Sequence, residues 1–201
     1  KSRAYVLENI QNERDDFLRT MMWGALWDSV REGELAPKDY VQLVIKNINT
    51  ETDESTIQTL LNRVSTAMNY YLNDKQREEL TPRLEKLLID KMQNAPTLGH
   101  RITFYRAFLG ATSSENARDV LKYMFSVYNR KQVSEEAIKT LPLKTKDKFD
   151  IVTRLIVLGD KDALTLLAEL EKTETSATGE EDQLNESDES KRGLKRKLSG
   201  E

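Results

Sequence analysis

Apolar residues recur at three- and four-residue intervals along most of the chain, which is the spacing of one face of an α-helix. The clearest run lies between residues 57 and 71 and contains Ile57, Leu60, Leu61, Val64, Met68 and Tyr71. Similar runs occupy the rest of the chain up to about residue 170. The pattern predicts about nine helices, mostly amphipathic and joined by short connections.

Residues that typically begin or end helices interrupt this pattern. Pro82, which follows a threonine, indicates either a kink or a restarted helix that the threonine caps. Ser134 predicts the start of a short helix, which Pro142 prevents from continuing. Gly159 is expected to close the helix before it. We therefore expect an all-α fold, an irregular α-solenoid of antiparallel helical hairpins like those of HEAT or armadillo proteins.

The composition changes near residue 173. Residues 1–172 carry 26 acidic and 26 basic residues, so the net charge of -3 belongs to residues 173–201. Residues 174–189 contain seven acidic and no basic residues, and five basic residues come after them. A segment with so few apolar residues cannot bury enough surface to order itself. We predict a helical domain over residues 1–172 and a disordered tail over 173–201.

Composition also limits the chemistry of the chain. It has 201 residues, no cysteine and one histidine, His100. A hydrolytic zinc site usually needs at least two imidazoles, so we expect no catalytic centre and no cofactor in this chain. No stretch reaches the roughly 20 apolar residues of a membrane span, and the small net charge attracts neither nucleic acid nor an anionic membrane. We expect a cytoplasmic protein that binds neither.

Two sets of residues are candidates for function or for the core. Trp23 and Trp27 lie one helical turn apart and could stack on a ligand, but their apolar neighbours favour packing, so we assign Trp23, Leu26 and Trp27 to the core. Four basic residues fall on two consecutive predicted helices and could contact the carboxylate of a peptide. These are Arg101, Arg106, Arg118 and Lys122. Scattered surface charge is the competing interpretation.

Ordered segments carry a resemblance to a known family. Residues 12–35 contain the sequence Leu26-Trp27-Asp28 and a charged turn at Gly33, and a predicted helix with Tyr40 comes next. A Glu-x-Asp connection begins at Glu51, and the segments 141–144 and 155–163 come later at suitable separations. Together they resemble the C-terminal helical domain of zinc peptidases of the aminopeptidase N family, over most of residues 12–172.

The resemblance implies a domain without its own chemistry. In that family a separate catalytic domain holds the zinc ion through a His-Glu-x-x-His helix, and no such motif occurs here. The helical domain forms a bowl that closes over the zinc cleft and limits or orients peptide substrates. The expected partners are the catalytic domain of the parent peptidase and a peptide.

The chain departs from that family where relatives continue with further helices beyond the position of Lys172. It also begins at Lys1, almost at once in an apolar-periodic segment, so we expect a piece of a longer protein. The alternative function is a stand-alone α-helical scaffold that binds a peptide or a partner helix in its groove.

Overall fold

A computed structural model describes residues 2–130 and 132–175 of the chain, and these residues form helices and no strand. The prediction of an all-α fold is confirmed. The helices are α1 (Ser2–Asn9), α2 (Asp16–Arg31), α3 (Pro37–Asn47), α4 (Glu54–Thr66), α5 (Asp74–Asn94), α6 (Leu98–Ala111), α7 (Glu115–Tyr128), α8 (Glu135–Thr140), α9 (Thr145–Val157) and α10 (163–175). Among these described helices, none is both long and apolar enough to cross a membrane.

Two local features differ from the sequence pattern. Helix α1 precedes the first predicted helix, which makes ten helices rather than nine in the described residues. Helix α5 continues through Pro82, so a restarted helix does not form. A proline inside a helix costs about 3 kcal/mol. Burial of Leu80, Leu84 and Leu88 on the same helix offsets that cost, at about 1.5–3 kcal/mol for each side chain.

The long apolar run that ends near residue 71 is helical throughout, but its last turn is wider than an α-helix. Residues Ala67–Tyr71 form a π-helical turn, in which the N–H of Leu72 donates to the carbonyl of Ala67 at 3.1 Å. Helix α5 begins directly afterwards with a capping box, in which Asn73 and Gln76 each bond the other's backbone N–H. The sequence period therefore located the helix, whereas the wider turn was not visible in it.

The chain divides into two compact units. Unit one contains the residues up to Leu121 together with Ser134–Pro142, and unit two contains Lys122–Val133 together with the residues from Leu143 onward. In unit one α5 and α6 form the most extensive helix pair, and α4 packs on α6. The largest side chains buried in this unit are Trp23, Tyr40, Tyr105 and Phe108.

Unit two has a core of its own from α7, α9 and α10. Its buried apolar side chains include Phe125, Ile151, Leu155 and Leu170. Helix α10 extends to residue 175, three residues past the predicted end of the helical domain. The rest of the predicted disordered tail, 176–201, lies outside the described residues.

Candidate functional site

A small cleft lies between α2 and α4 in unit one. Thr20 and Trp23 line it from α2, and Leu60 and Arg63 line it from α4. Three hydroxyl-bearing residues of α4 complete the wall, namely Ser55, Thr56 and Thr59. Four of the seven lining residues therefore bear a hydroxyl group, and Arg63 is the cation among them.

A buried charged group holds the indole that lines this cleft. Trp23 is fully buried, and its Nε1–H donates to Oε1 of Glu51 at 2.7 Å. The same oxygen accepts from Nε of Arg19 at 2.7 Å, and the side chains of Arg19 and Glu51 are only 6% and 2% exposed. A buried ion pair needs such additional hydrogen bonds to offset its desolvation.

The other donors of Arg19 are also used. Nη1 donates to the carbonyl of Glu13 at 2.7 Å, and Nη2 donates to Oδ1 of Asp16 at 2.6 Å. The hydrogen bond with Glu51, opposed by burial, raises the pKa of Arg19, so the guanidinium stays charged. Arg19 thus ties the start of α2 to the connection between α3 and α4.

Two aspartates fix where the cleft-lining helices begin. Oδ1 of Asp15 accepts the N–H groups of Phe17 and Leu18 at the start of α2. Oδ2 of Asp53 accepts the N–H of Thr56 at 2.7 Å at the start of α4. In the Glu-x-Asp connection, Glu51 therefore binds the buried cation, and Asp53 caps the next helix.

The cation of the cleft lies beside a buried hydroxyl. Tyr40 is fully buried, and its hydroxyl makes no hydrogen bond of good geometry with another described residue. Burial raises the pKa of Tyr40 to about 12, an effect that the adjacent Arg63 opposes through its charge and through hydrogen bonding. No carboxylate of the described residues forms an ion pair with Arg63. Tyr40 is therefore a neutral donor at neutral pH.

The arrangement is suited to binding rather than to chemistry. No histidine or lysine lines the cleft, and the hydroxyls of Ser55 and Thr56 donate to Asp53, the carboxylate that caps α4. His100 lies elsewhere, at the start of α6, and is 8% exposed. Its backbone N–H donates to the hydroxyl of Thr97 at 3.1 Å. In residues 2–130 and 132–175, no group of three histidine, cysteine or acidic side chains could hold a metal ion. These residues do not fit a zinc ion.

The predicted basic residues of α6 have different surroundings. Arg101 donates to three backbone carbonyls, those of Ala95 at 2.9 Å, Lys139 at 3.2 Å and Thr140 at 2.7 Å. It therefore attaches the end of α8 to the start of α6. Arg106 is exposed and forms no ion pair with the residues that the structure describes.

The predicted basic residues of α7 fall on both sides of the division between the units. Arg118 belongs to unit one and is half-buried. Lys122 belongs to unit two, where its Nζ lies 2.9 Å from Oδ2 of Asp162 and 3.4 Å from Oδ2 of Asp160. A shared peptide-binding surface formed by the four basic residues stays a prediction.

The three residues assigned to the core differ in exposure. Trp23 and Leu26 are 0% and 2% exposed, whereas Trp27 is half-buried. The Trp27 ring stacks on Tyr71 with ring centroids 5.9 Å apart, and it lies 5.2 Å from the ring of Tyr40. Trp27 thus closes an aromatic cluster from the outside.

Sequence reasoning missed the cleft itself. Thr56, Thr59 and Arg63 recur at three- and four-residue spacing, which places them on one face of α4. A polar face of this kind is the ordinary solvated side of an amphipathic helix. Only the packing of α2 against α4 distinguishes these residues from other surface residues.

Comparison with known proteins gives two findings. The family model described as ERAP1-like C-terminal domain matches residues 2–186 of this chain. Aminopeptidase N of Streptomyces lividans is 26% identical over 178 residues, which are 88% of this chain and 20% of that protein. The chain therefore spans about a fifth of the length of this curated relative. The resemblance stated from the sequence is confirmed.

Proposed function

This chain belongs to the family of ERAP1-like C-terminal domains, and from that premise we propose that it serves as the non-catalytic helical domain of a zinc-dependent aminopeptidase. In this role it caps the active-site cleft of the parent enzyme and limits or orients the peptides that enter. The match of the family model over residues 2–186 is the observation that carries the proposal. The relative named aminopeptidase N supports the kind of parent enzyme.

The zinc ion of the proposal belongs to the parent enzyme's catalytic domain, where it would act as a Lewis acid and activate water. The contribution of this chain is physical. A wall of packed helices excludes bulk water from a reaction cleft and orders a bound substrate. The lining of the α2–α4 cleft agrees with such a role, because it supplies surface for contact and no group for catalysis.

Contact with the peptide is assigned to the basic residues predicted from the sequence, and Arg106 is the most suitable of them. Its guanidinium is exposed and has no ionic partner in the described part of the chain. Arg101 and Lys122 are less suitable, because contacts with their own chain already occupy their charges. A carboxylate on the substrate would meet the guanidinium of Arg106 in a charge-assisted hydrogen bond.

The test compares the parent enzyme with a form that lacks the segment corresponding to this chain. Both are assayed on a small chromogenic amino-acid substrate and on peptides of increasing length. We expect the small substrate to be hydrolysed by both forms, with inhibition by a chelator. We expect the dependence of kcat/KM on peptide length to be present only in the complete enzyme, because the helical wall is what restricts long substrates.

A point variant sharpens this test. Arg106→Ala in the complete enzyme should raise KM for peptides about tenfold and leave the small substrate unaffected. The matched control is Arg83→Ala, which removes an exposed arginine from α5. An unchanged length dependence after removal of the segment, or peptidase activity of the isolated chain, would contradict the proposal. Peptide binding by the isolated chain without any effect on a peptidase would favour the stand-alone scaffold.

A further inference from the structure

The outward side of α2 carries apolar residues that the described part of the chain leaves uncovered. Phe17, Leu18 and Met21 are 72%, 47% and 59% exposed, and Gly24 and Ala25 follow one turn later on the same side of the helix. These five residues form the α2 stripe. The buried side chains of α2 lie on the opposite side, and they are Arg19, Trp23, Leu26 and Val30. Neighbouring large apolar side chains that remain exposed on one helix indicate a contact surface.

The α2 stripe is bulky at its amino end and flat at its carboxyl end. Phe17 and Leu18 lie in the first turn of α2, Met21 lies in the middle of the stripe, and Gly24 and Ala25 end it. A Cβ added at Gly24 would meet no atom of another described element within 4 Å, so the space above the flat end is open. A second copy of the stripe in the reverse direction would place large residues on small ones. Helix surfaces that pack well interdigitate in this way.

The charges at the two ends of the α2 stripe have opposite signs. Arg14 lies just before α2, is exposed, and forms no ion pair with the residues that the structure describes. The side chain of Asp28 is 64% exposed and lies 3.5 Å from Arg31 of its own helix, so a second cation can approach it. Arg14 and Asp28 each lie seven positions from Met21. A two-fold axis through Met21 would therefore bring Arg14 of each copy to Asp28 of the other.

We propose that the α2 stripe is the contact surface of a homodimer, in which two copies of this chain pair their α2 helices in antiparallel directions about an axis at Met21. Phe17 of one copy packs on Ala25 of the other, and Leu18 packs on Gly24. Each contact occurs twice, because a two-fold interface is self-complementary. Helix α2 has 16 residues and is roughly 24 Å long, so the interface is small and the dimer is weak. The dimer is independent of the proposed function, because it needs only this chain.

The test is sedimentation equilibrium of the whole 201-residue chain. We expect a monomer–dimer equilibrium with a dissociation constant on the order of 10–100 µM. Arg14→Glu and Asp28→Arg each place like charges at both ends of the interface, so each variant alone should raise the dissociation constant about tenfold or more. An equimolar mixture of the two variants restores opposite charges at both ends and should form a heterodimer as well as the wild type forms its dimer. Arg83→Glu, at an exposed arginine of α5, is the control and should dimerise like the wild type.

A size variant separates the proposed pairing from non-specific association. Gly24→Leu should leave the monomer at least as stable as before, because the added side chain has open space and leucine favours a helix more than glycine does. In the dimer the added side chain meets Leu18 of the other copy, so the dissociation constant should rise about tenfold. Non-specific association would instead be strengthened by the added apolar surface. Circular dichroism shows that each variant is folded.

Three outcomes would overturn the dimer. The first is a wild-type chain that stays monomeric up to about 1 mM, which excludes a second copy as the group that covers the α2 stripe. The second is a mixture of folded Arg14→Glu and Asp28→Arg that dimerises no better than either variant alone. The third is tighter association of Gly24→Leu. None of these outcomes bears on the proposal about the parent peptidase, whose test is the dependence of hydrolysis on peptide length.

Discussion

Unit one buries two carboxylates, Glu51 and Glu85, whereas in unit two the lysine of an ion pair, Lys148, is buried and its carboxylate partner Glu174 lies near the surface. Glu51 and Glu85 are 7% and 3% exposed, and the side chain of Glu174 is 29% exposed. The Glu174 contact therefore differs in depth from those of Glu51 and Glu85, although the side chain of Asp160 in unit two, which pairs with Lys122, is only 7% exposed.

The buried carboxylates of unit one hold connections between helices. Glu51 lies in the connection between α3 and α4 and accepts from two side chains of α2. Glu85 of α5 accepts the N–H groups of Ser113 and Ser114 at 2.8 and 3.0 Å, just before α7 begins. A carboxylate is favourable there because the first N–H groups of a helix have no partner within it.

The contact in unit two holds the described end of the chain. Lys148 forms an ion pair with Glu174 of α10, and the hydroxyl of Thr145 donates to the other carboxylate oxygen at 3.1 Å. Water reaches the carboxylate of Glu174, so this ion pair contributes less to the free energy of unfolding. Its contribution also depends on whether the carboxylate is ionised. The comparison indicates that Glu51 and Glu85 are needed for their fixed partners, whereas the contact of Glu174 adjusts stability with pH.

The largest effect is expected for Glu51→Ala. Removing Glu51 leaves Arg19 with only the exposed Asp16 as a counter-charge, and the indole of Trp23 loses its acceptor. The free energy of unfolding should fall by about 3–5 kcal/mol. Urea unfolding monitored by tryptophan fluorescence measures this change. Asp28→Ala, in an exposed ion pair on the same α2, is the control and should change stability by less than about 0.5 kcal/mol. Equal losses of stability for Glu51→Ala and Asp28→Ala would contradict the special importance of the buried carboxylate in unit one.

A smaller loss is expected for Glu85→Ala, which leaves the backbone N–H groups of Ser113 and Ser114 without their acceptor. The loss should be about 2 kcal/mol. It should be accompanied by faster amide hydrogen exchange at Ser113 and Ser114, because their N–H groups lose the carboxylate that accepts from them. Glu78→Ala on the exposed side of α5 serves as the control. Unchanged exchange at Ser113 and Ser114 would show that another group replaces the carboxylate.

The smallest effect is the pH dependence in unit two. A hydrogen bond from Lys148 holds the pKa of Glu174 below its usual value of 4.5. A lowered pKa in the folded state means that the contact contributes its full stability above the usual value and loses it as the pH falls through the lowered one. The stability difference between wild type and Glu174→Gln should therefore be present at pH 7 and shrink below about pH 4. Asp150→Asn, in an exposed pair with Lys146, is the control. If the stability difference between wild type and Glu174→Gln were the same at every pH, the ionisation of Glu174 would not contribute to its contact with Lys148.

Local rules account for much of what could be predicted from the sequence. Ser134 caps α8, since its side chain accepts from the N–H of Ala137. Gly159 adopts a φ of +66° just after α9, a conformation that glycine accepts without strain. Such signals depend on a few neighbouring residues, so they survive in any tertiary arrangement. The residues that line the α2–α4 cleft did not have this advantage, because Thr20 and Arg63 belong to different helices.

The all-α class, most helix positions and the family were predictable from the sequence. Helical periodicity, caps and ordered motifs depend on residues that are close together along the chain. Tertiary packing was needed to show that Pro82 stays within α5, that Glu51 joins Arg19 to Trp23, and which polar face lines a cleft. The physical reason is that burial is a property of pairs of helices: the same polar residue is a solvated surface group or a buried partner according to what packs beside it.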